Sequence, residues 1–332
     1  MTAPDNIPGE LPPSLRDALA WVIRLHSGAA TSKDAEALAQ WRTTCPEHED
    51  AFRDAVRLWR TFGEGTRTLV AQQEADRSQL SGLRAARKII LSRRGLLGGA
   101  LAASVAAGYS VVHPPLGIWP SLQELSADHR TTKGQRRDIA LSDGVSLKLN
   151  TQTSVAVRST ASQPRIEIIS GEAAIVASRA GSAPLVVEAA DGRITAQGAS
   201  FNVRCLDSVV SVSCLDGAVD IAWSGQSVRV SKDQQVTYSA ADGLASPSTV
   251  DRAQAVAWLD GLLIVRDWPL SRVVDEINRY RPGKIVVMDS RLGRRMLTGT
   301  FHLDHLDDFI DQAHGLFGAT VRSLPGGIVV LT

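Results

Sequence analysis

The sequence predicts a multi-domain protein: a small N-terminal α-helical bundle, one transmembrane helix, an all-β domain of sandwich or solenoid-like form, and a C-terminal α/β module. Three observations predict it. Apolar residues recur at helical spacing over residues 14–62, at period two from about 134 to 238, and in mixed strand and helix runs beyond 250. Residues 95–112 carry no charge, and six basic residues precede them. A length of 332 residues allows two or three cores of ordinary size. The expected units are residues 1–85, 86–115, 120–245 and 250–332.

Composition narrows the function classes. With 44% hydrophobic and 21% charged residues the chain is neither disordered nor a multi-span transporter. A net charge of +1 gives no electrostatic footprint for nucleic acid, and no nucleic-acid motif is present. Cys45, Cys205 and Cys214 are too few for a disulfide scaffold and lack zinc spacing. A Cys205–Cys214 bond is chemically open in an oxidising compartment, but a hairpin turn near Asp207 would leave the two unopposed. No catalytic, cofactor or metal constellation stands out. His302 and His305, with Asp304 and Asp307, have no third ligand at a fitting spacing and read as polar residues before a helix.

Residues 95–112 read GLLGGALAASVAAGYSVV and are followed by His113, Pro114 and Pro115. At about 1.5 Å per residue they reach the short end of the spanning range. Arg77, Arg84, Arg87, Lys88, Arg93 and Arg94 come before, and the next basic residue after the run is Arg130. Such asymmetry would keep the N-terminus in the cytosol and send the C-terminal part across an inner membrane. Arg93 and Arg94 before a Gly- and Ala-rich run also resemble a twin-arginine export signal; the other reading makes them topology anchors.

The N-terminal helices have clear punctuation. Ser14 with Asp17, and Thr31 with Asp34, form capping-box patterns; Gly28, Pro46 and Gly63 mark ends. Trp21, Leu25, Trp41, Phe52 and Trp59 are large for three short helices. They form either the small core or an apolar groove that completes its packing on a partner helix. Ala20-Trp21, the run from Arg24 to Gly28, Trp41-Arg42, Pro46-Glu47-His48, Ala51-Phe52 and Leu58-Trp59 resemble the N-terminal domain of FecR-type transmembrane regulators. The resemblance implies an anti-sigma factor whose cytosolic helices bind a sigma factor of the extracytoplasmic-function class.

In the β region, short β-rich runs are separated by turn pairs such as Asp143-Gly144, Asp191-Gly192 and Asp216-Gly217. The phrases Leu147-Lys148-Leu149-Asn150, Ser170-Gly171-Glu172-Ala173 and Phe201-Asn202-Val203-Arg204 are similar to the FecR-type periplasmic domain. Many members of that family cleave themselves at a Gly-Thr bond, which here is Gly198-Ala199. A methyl group is no nucleophile, so this chain is expected to stay intact unless the Ser200 hydroxyl serves one bond later, and to have no other enzymatic activity.

The last eighty residues read as βαββαββ. Trp258, Asp260-Gly261, Asp267, Pro269-Leu270 and Asn278-Arg279-Tyr280 resemble the end of FecR-type proteins, a module similar to the short N-terminal domains of secretins and TonB-dependent receptors. The resemblance implies docking on the signalling domain of an outer-membrane TonB-dependent receptor, with iron-chelate uptake as the usual context and an intramembrane protease as a further partner. Trp258, Trp268, Arg279 and Tyr280 are the candidate contacts. The alternative is an envelope interaction protein with no sigma partner.

Overall fold

A computed structural model describes residues 12–27, 30–57, 59, 122–141, 144–160, 163–178, 183–324 and 327–332. Three helices open the chain: α1 (Pro13–His26), α2 (Ser32–Thr44) and α3 (residues 46–57). The expected Thr31–Asp34 capping box is formed, the Thr31 hydroxyl accepting from Asp34 N while Asp34 accepts from Thr31 N. The Ser14–Asp17 box is not. Pro13 occupies the first helical position after Pro12, where a missing N–H costs nothing and the fixed φ already suits the helix, so α1 begins without a side-chain cap.

Fourteen strands then build the β domain. β1 (His129–Arg130), β2 (Arg137–Ala140), β3 (Val145–Leu149) and β4 (Ser154–Val157) lead into the long β5 (Arg165–Ala177). Next come β6 (Leu185–Ala189), β7 (Gly192–Ala196), β8 (Ala199–Leu206), β9 (Val209–Asp216) and β10 (Ala218–Trp223). β11 (Gln226–Ser231), β12 (Gln234–Ser239), β13 (Gly243–Leu244) and β14 (Ser248–Thr249) finish it. Spatial order runs β11-β10-β7-β6-β5-β8-β9-β12-β13, and the β5–β6 pair is parallel.

β5 joins two layers. Its first half pairs with β4 and β6, its second half with β3 and β8. The change falls at Gly171, with φ of +100°, where a Cβ would stand 2.4 Å from Thr153 Cα. Only glycine fits there. Ile166, Ile168, Ile175, Phe201, Val203 and Val212 fill the space between the layers.

The C-terminal module follows. β15 (Leu262–Pro269) pairs antiparallel with β17 (Met296–His302); β16 (Lys284–Val287) pairs parallel with β19 (Ile328–Leu331), which pairs antiparallel with β18 (Val321–Leu324). Helix Leu270–Tyr280 buries Leu270, Val273, Val274 and Ile277 against both sheets. Its opposite side meets the β domain.

The predicted fold class needs one correction. Among the described residues no helix is long and apolar enough to cross a membrane, so the structure does not contain the single transmembrane helix that sequence reasoning expected. Residues 95–112, on which that expectation was placed, and Arg93 and Arg94 lie outside the described residues.

Candidate functional site

Two junctions converge on the C-terminal module. The first is a buried polar joint with the β domain. Asn150 stands just after β3, Glu172 just after the Gly171 crossing in β5, Asn202 and Arg204 on β8, and Glu276, Arg279 and Tyr280 on the helix Leu270–Tyr280. Glu172 is its hub. Its carboxylate accepts from Asn150 Nδ2 at 2.9 Å, Asn202 Nδ2 at 3.0 Å and Arg279 Nη1 at 3.3 Å. Asn150 Nδ2 also donates to the Tyr280 hydroxyl at 2.7 Å. Arg204 binds Glu276 through both terminal nitrogens, at 3.1 and 2.5 Å, and Arg279 Nη1 donates to Glu276 at 2.5 Å.

Two buried carboxylates therefore face two guanidiniums, Arg279 buried and Arg204 partly open to water. Burial alone would raise the Glu276 carboxyl, but Arg279 and Arg204 outweigh it and hold it at about 2. Burial disfavours the charge on Arg279, yet Glu276 and Glu172 raise its affinity for its proton. Burial pushes the Tyr280 hydroxyl well up, so it stays protonated. Further bonds cross the same boundary. The Thr151 hydroxyl donates to Arg279 O at 2.8 Å, Arg136 Nη1 to Trp258 O at 2.8 Å and Lys133 Nζ to Gly283 O at 2.9 Å. Burial, then Lys284 and Arg281, lower the Lys133 ammonium to about 8.

The second junction is apolar. Ala18, Val22, Leu25, Leu38, Phe52, Ala55 and Trp59 cluster with Val286 of β16 and Ile328 of β19, so the N-terminal helices cover the outer face of the C-terminal sheet. Lys284 Nζ lies 4.6 Å over the Trp59 ring and donates to Trp59 O at 3.3 Å. Lys133 N donates to Ser27 O at 2.9 Å. Trp21 is half-buried. Trp41, also half-buried, stacks on His48 with centroids 4.3 Å apart. Arg42 lies over Phe52 and ties α2 to α3 by Arg42–Glu49 at 2.7 Å.

Of the residues singled out from sequence, Leu25, Phe52 and Trp59 share one apolar face, while Arg279 and Tyr280 lie inside the joint. Trp258 is buried beneath the Arg136 contact. Trp268 is half-buried, with the Arg272 guanidinium 4.0 Å over its ring. Gly198, with φ of +64°, precedes the buried Ala199 at the start of β8. Cys205 and Cys214 are both free and buried, opposite Val210 and Phe201 across a turn at Asp207-Ser208. Among the described residues no group of His, Cys, Asp or Glu is placed to hold a metal.

Lys133 and Glu276 carry no motif in the sequence, and the phrases that contain Asn150, Glu172, Asn202 and Arg204 give those residues no role by themselves. A signal existed. Asn150 at the end of a strand, and Glu172 and Asn202 within strands of Val, Ile, Leu and Ala, run against β propensity and call for a buried polar partner.

Residues 127–220 match the family model described as FecR protein, and residues 16–58 match a domain of unknown function, DUF4880. The first match contains the β-domain half of the joint; the second contains Trp21, Leu25, Trp41 and Phe52. No curated protein matches the chain. Two crystal structures from Parabacteroides distasonis, each provisionally named an anti-sigma factor, have the same fold. Both are 22% identical to this chain and cover 61% of it; it covers 97% and 96% of them, with TM-scores of 0.54 and 0.53.

Proposed function

We propose that this chain, which carries a FecR domain behind a DUF4880 segment, regulates a sigma factor of the extracytoplasmic-function class through its N-terminal helices. It does so by binding rather than by catalysis. The observation that carries this reading is the helical unit itself: three short helices whose apolar face is larger than they can bury alone, so that Leu25, Phe52 and Trp59 rely on contact with another unit. A face of that kind suits helix-in-groove recognition. Trp21 and Trp41, half-buried at the surface of the unit, are the contact residues assigned to the sigma factor. The provisional name of the two Parabacteroides distasonis proteins supports the same role.

The α/β module was expected to meet an outer-membrane receptor, on the opposite side of a membrane from a cytosolic sigma factor. In this reading the helices work in the cytosol, where sigma factors act, and receptor contact and iron-chelate uptake remain the expected input.

The test is co-purification of the full chain with sigma factors of the extracytoplasmic class, alongside transcription from their promoters. One of them should be retained, its promoter activity should change, and Trp41→Ala should weaken retention at least tenfold, the effect expected of an aromatic hot spot. Retention of none would leave the interaction-protein alternative.

A further inference from the structure

The corner between α2 and α3 is closed by two neighbouring contacts, each joining residues seven apart in the chain. Trp41 stacks on His48 with the ring planes 6° from parallel. One residue further along each helix, Arg42 binds Glu49 through Nε at 2.7 Å and Nη2 at 3.0 Å. Local sequence builds this corner. Pro46 forces Cys45 out of the helical region, to φ of −149° and ψ of 138°, so α2 stops at Thr44. Pro46 then opens α3, and the His48 N–H donates to Cys45 O at 3.0 Å. That turn brings residues 48 and 49 back against residues 41 and 42.

A hydrogen bond fixes how His48 sits in the stack. Its Nδ1 lies 2.9 Å from Trp41 O, a carbonyl in the last turn of α2, where a helix supplies no N–H partners of its own. A carbonyl only accepts, so Nδ1 carries the hydrogen and donates it. The His48 ring is therefore tied to the backbone of Trp41 and lies flat on the side chain of the same residue. Both rings are half-buried, so the pair stands at the surface of the helical unit. A tryptophan at a surface otherwise turns about its side-chain torsions, and a partner that needs one orientation has to freeze them on binding. Here His48 freezes them beforehand. Arg42, held by Glu49 and lying 4.9 Å from the Phe52 ring centroid, keeps the two helices in register and so keeps His48 within reach.

We propose that His48 is a positioning residue for sigma-factor binding: it holds the Trp41 indole in the orientation that the partner meets. The proposal rests on the reading that Trp41 contacts a sigma factor. His48 acts through Trp41 and not by its own contact, since its Nδ1–H is spent on the Trp41 carbonyl and one face of its ring on the indole. Its contribution is preorganisation, which strengthens binding by removing an ordering cost and not by adding a contact.

A double-mutant cycle tests it, with the full chain and a purified sigma factor of the extracytoplasmic class that the wild-type chain retains. His48→Ala should weaken binding about fivefold in the wild-type chain and by less than about twofold in the Trp41→Ala background, because a positioning residue loses its effect with the residue it positions. His48→Phe keeps a ring in the corner, so the helices stay packed, but cannot bond the Trp41 carbonyl and should still weaken binding about threefold. The near-ultraviolet circular dichroism of each chain minus that of its Trp41→Phe counterpart isolates the Trp41 band, which should shrink in both His48 variants. Wild-type affinity in His48→Ala, or an equal loss in both backgrounds, would overturn the assignment and leave the sigma-factor reading standing. Retention of no sigma factor by the wild-type chain would overturn that reading and the assignment with it.

Discussion

The two junctions of the C-terminal module are built from opposite materials. Its joint with the β domain is ionic and directional, with Glu172, Glu276, Arg204 and Arg279 bonded in fixed geometry. Its contact with the N-terminal helices is apolar burial of Val286, Ile328 and Trp59 with a few supporting polar bonds. Apolar burial is non-directional and tolerates exchange of one partner surface for another. A buried ionic network does not, because each broken pair leaves a charge without water or partner. The β domain and the module are thus held in one mutual orientation by directional bonds, while the helices rest on the module mainly through apolar burial.

That contrast can be broken most strongly at Arg279. Replacing it by Met leaves Glu172 and Glu276 short of positive charge, and urea unfolding should show a loss of about 3–5 kcal/mol. A loss below about 1 kcal/mol would make the joint no firmer than a surface ion pair.

Acid should open the same joint. The Glu276 carboxyl is held near 2 when folded against a usual value of 4.5. A depressed folded value contributes stability that is fully present above pH 4.5 and is lost as pH falls towards 2, about 3 kcal/mol in all. Unfolding midpoints measured across that window should decline for the wild type, and Glu276→Gln should flatten the decline. Parallel curves would place the acid sensitivity elsewhere.

The smallest effect sharpens the other side. Trp59→Ala should weaken docking of the helices by about 2 kcal/mol through lost burial, seen as faster proteolysis of residues 12–59. Thermal unfolding of the β domain and module should not move. If both responded together, the two junctions would form one cooperative unit.

Much of the local structure was legible in the sequence. The Thr31–Asp34 cap, the Asp207 turn that keeps Cys205 from Cys214, and the strand and helix order after residue 262 all rest on residues close together in the chain. The start of α1 was misread because two prolines outweighed a cap pattern two residues later. The joint was visible only in fragments. Asn150, Glu172, Arg204 and Tyr280 each belong to a recognisable phrase, but Asn150 and Tyr280 lie 130 residues apart, and no local rule brings them together.

Sequence by itself determined the elements: three capped or proline-started helices, a run of short strands and an α/β end. Periodicity, turn residues and side-chain chemistry are local and need no knowledge of the fold. Tertiary structure alone decided that Arg279 and Tyr280 face inward and that Trp59 rests on Lys284. Those outcomes depend on which distant surfaces meet, and burial, which sets both the charge state of Glu276 and the partners of Arg279, exists only once they have met.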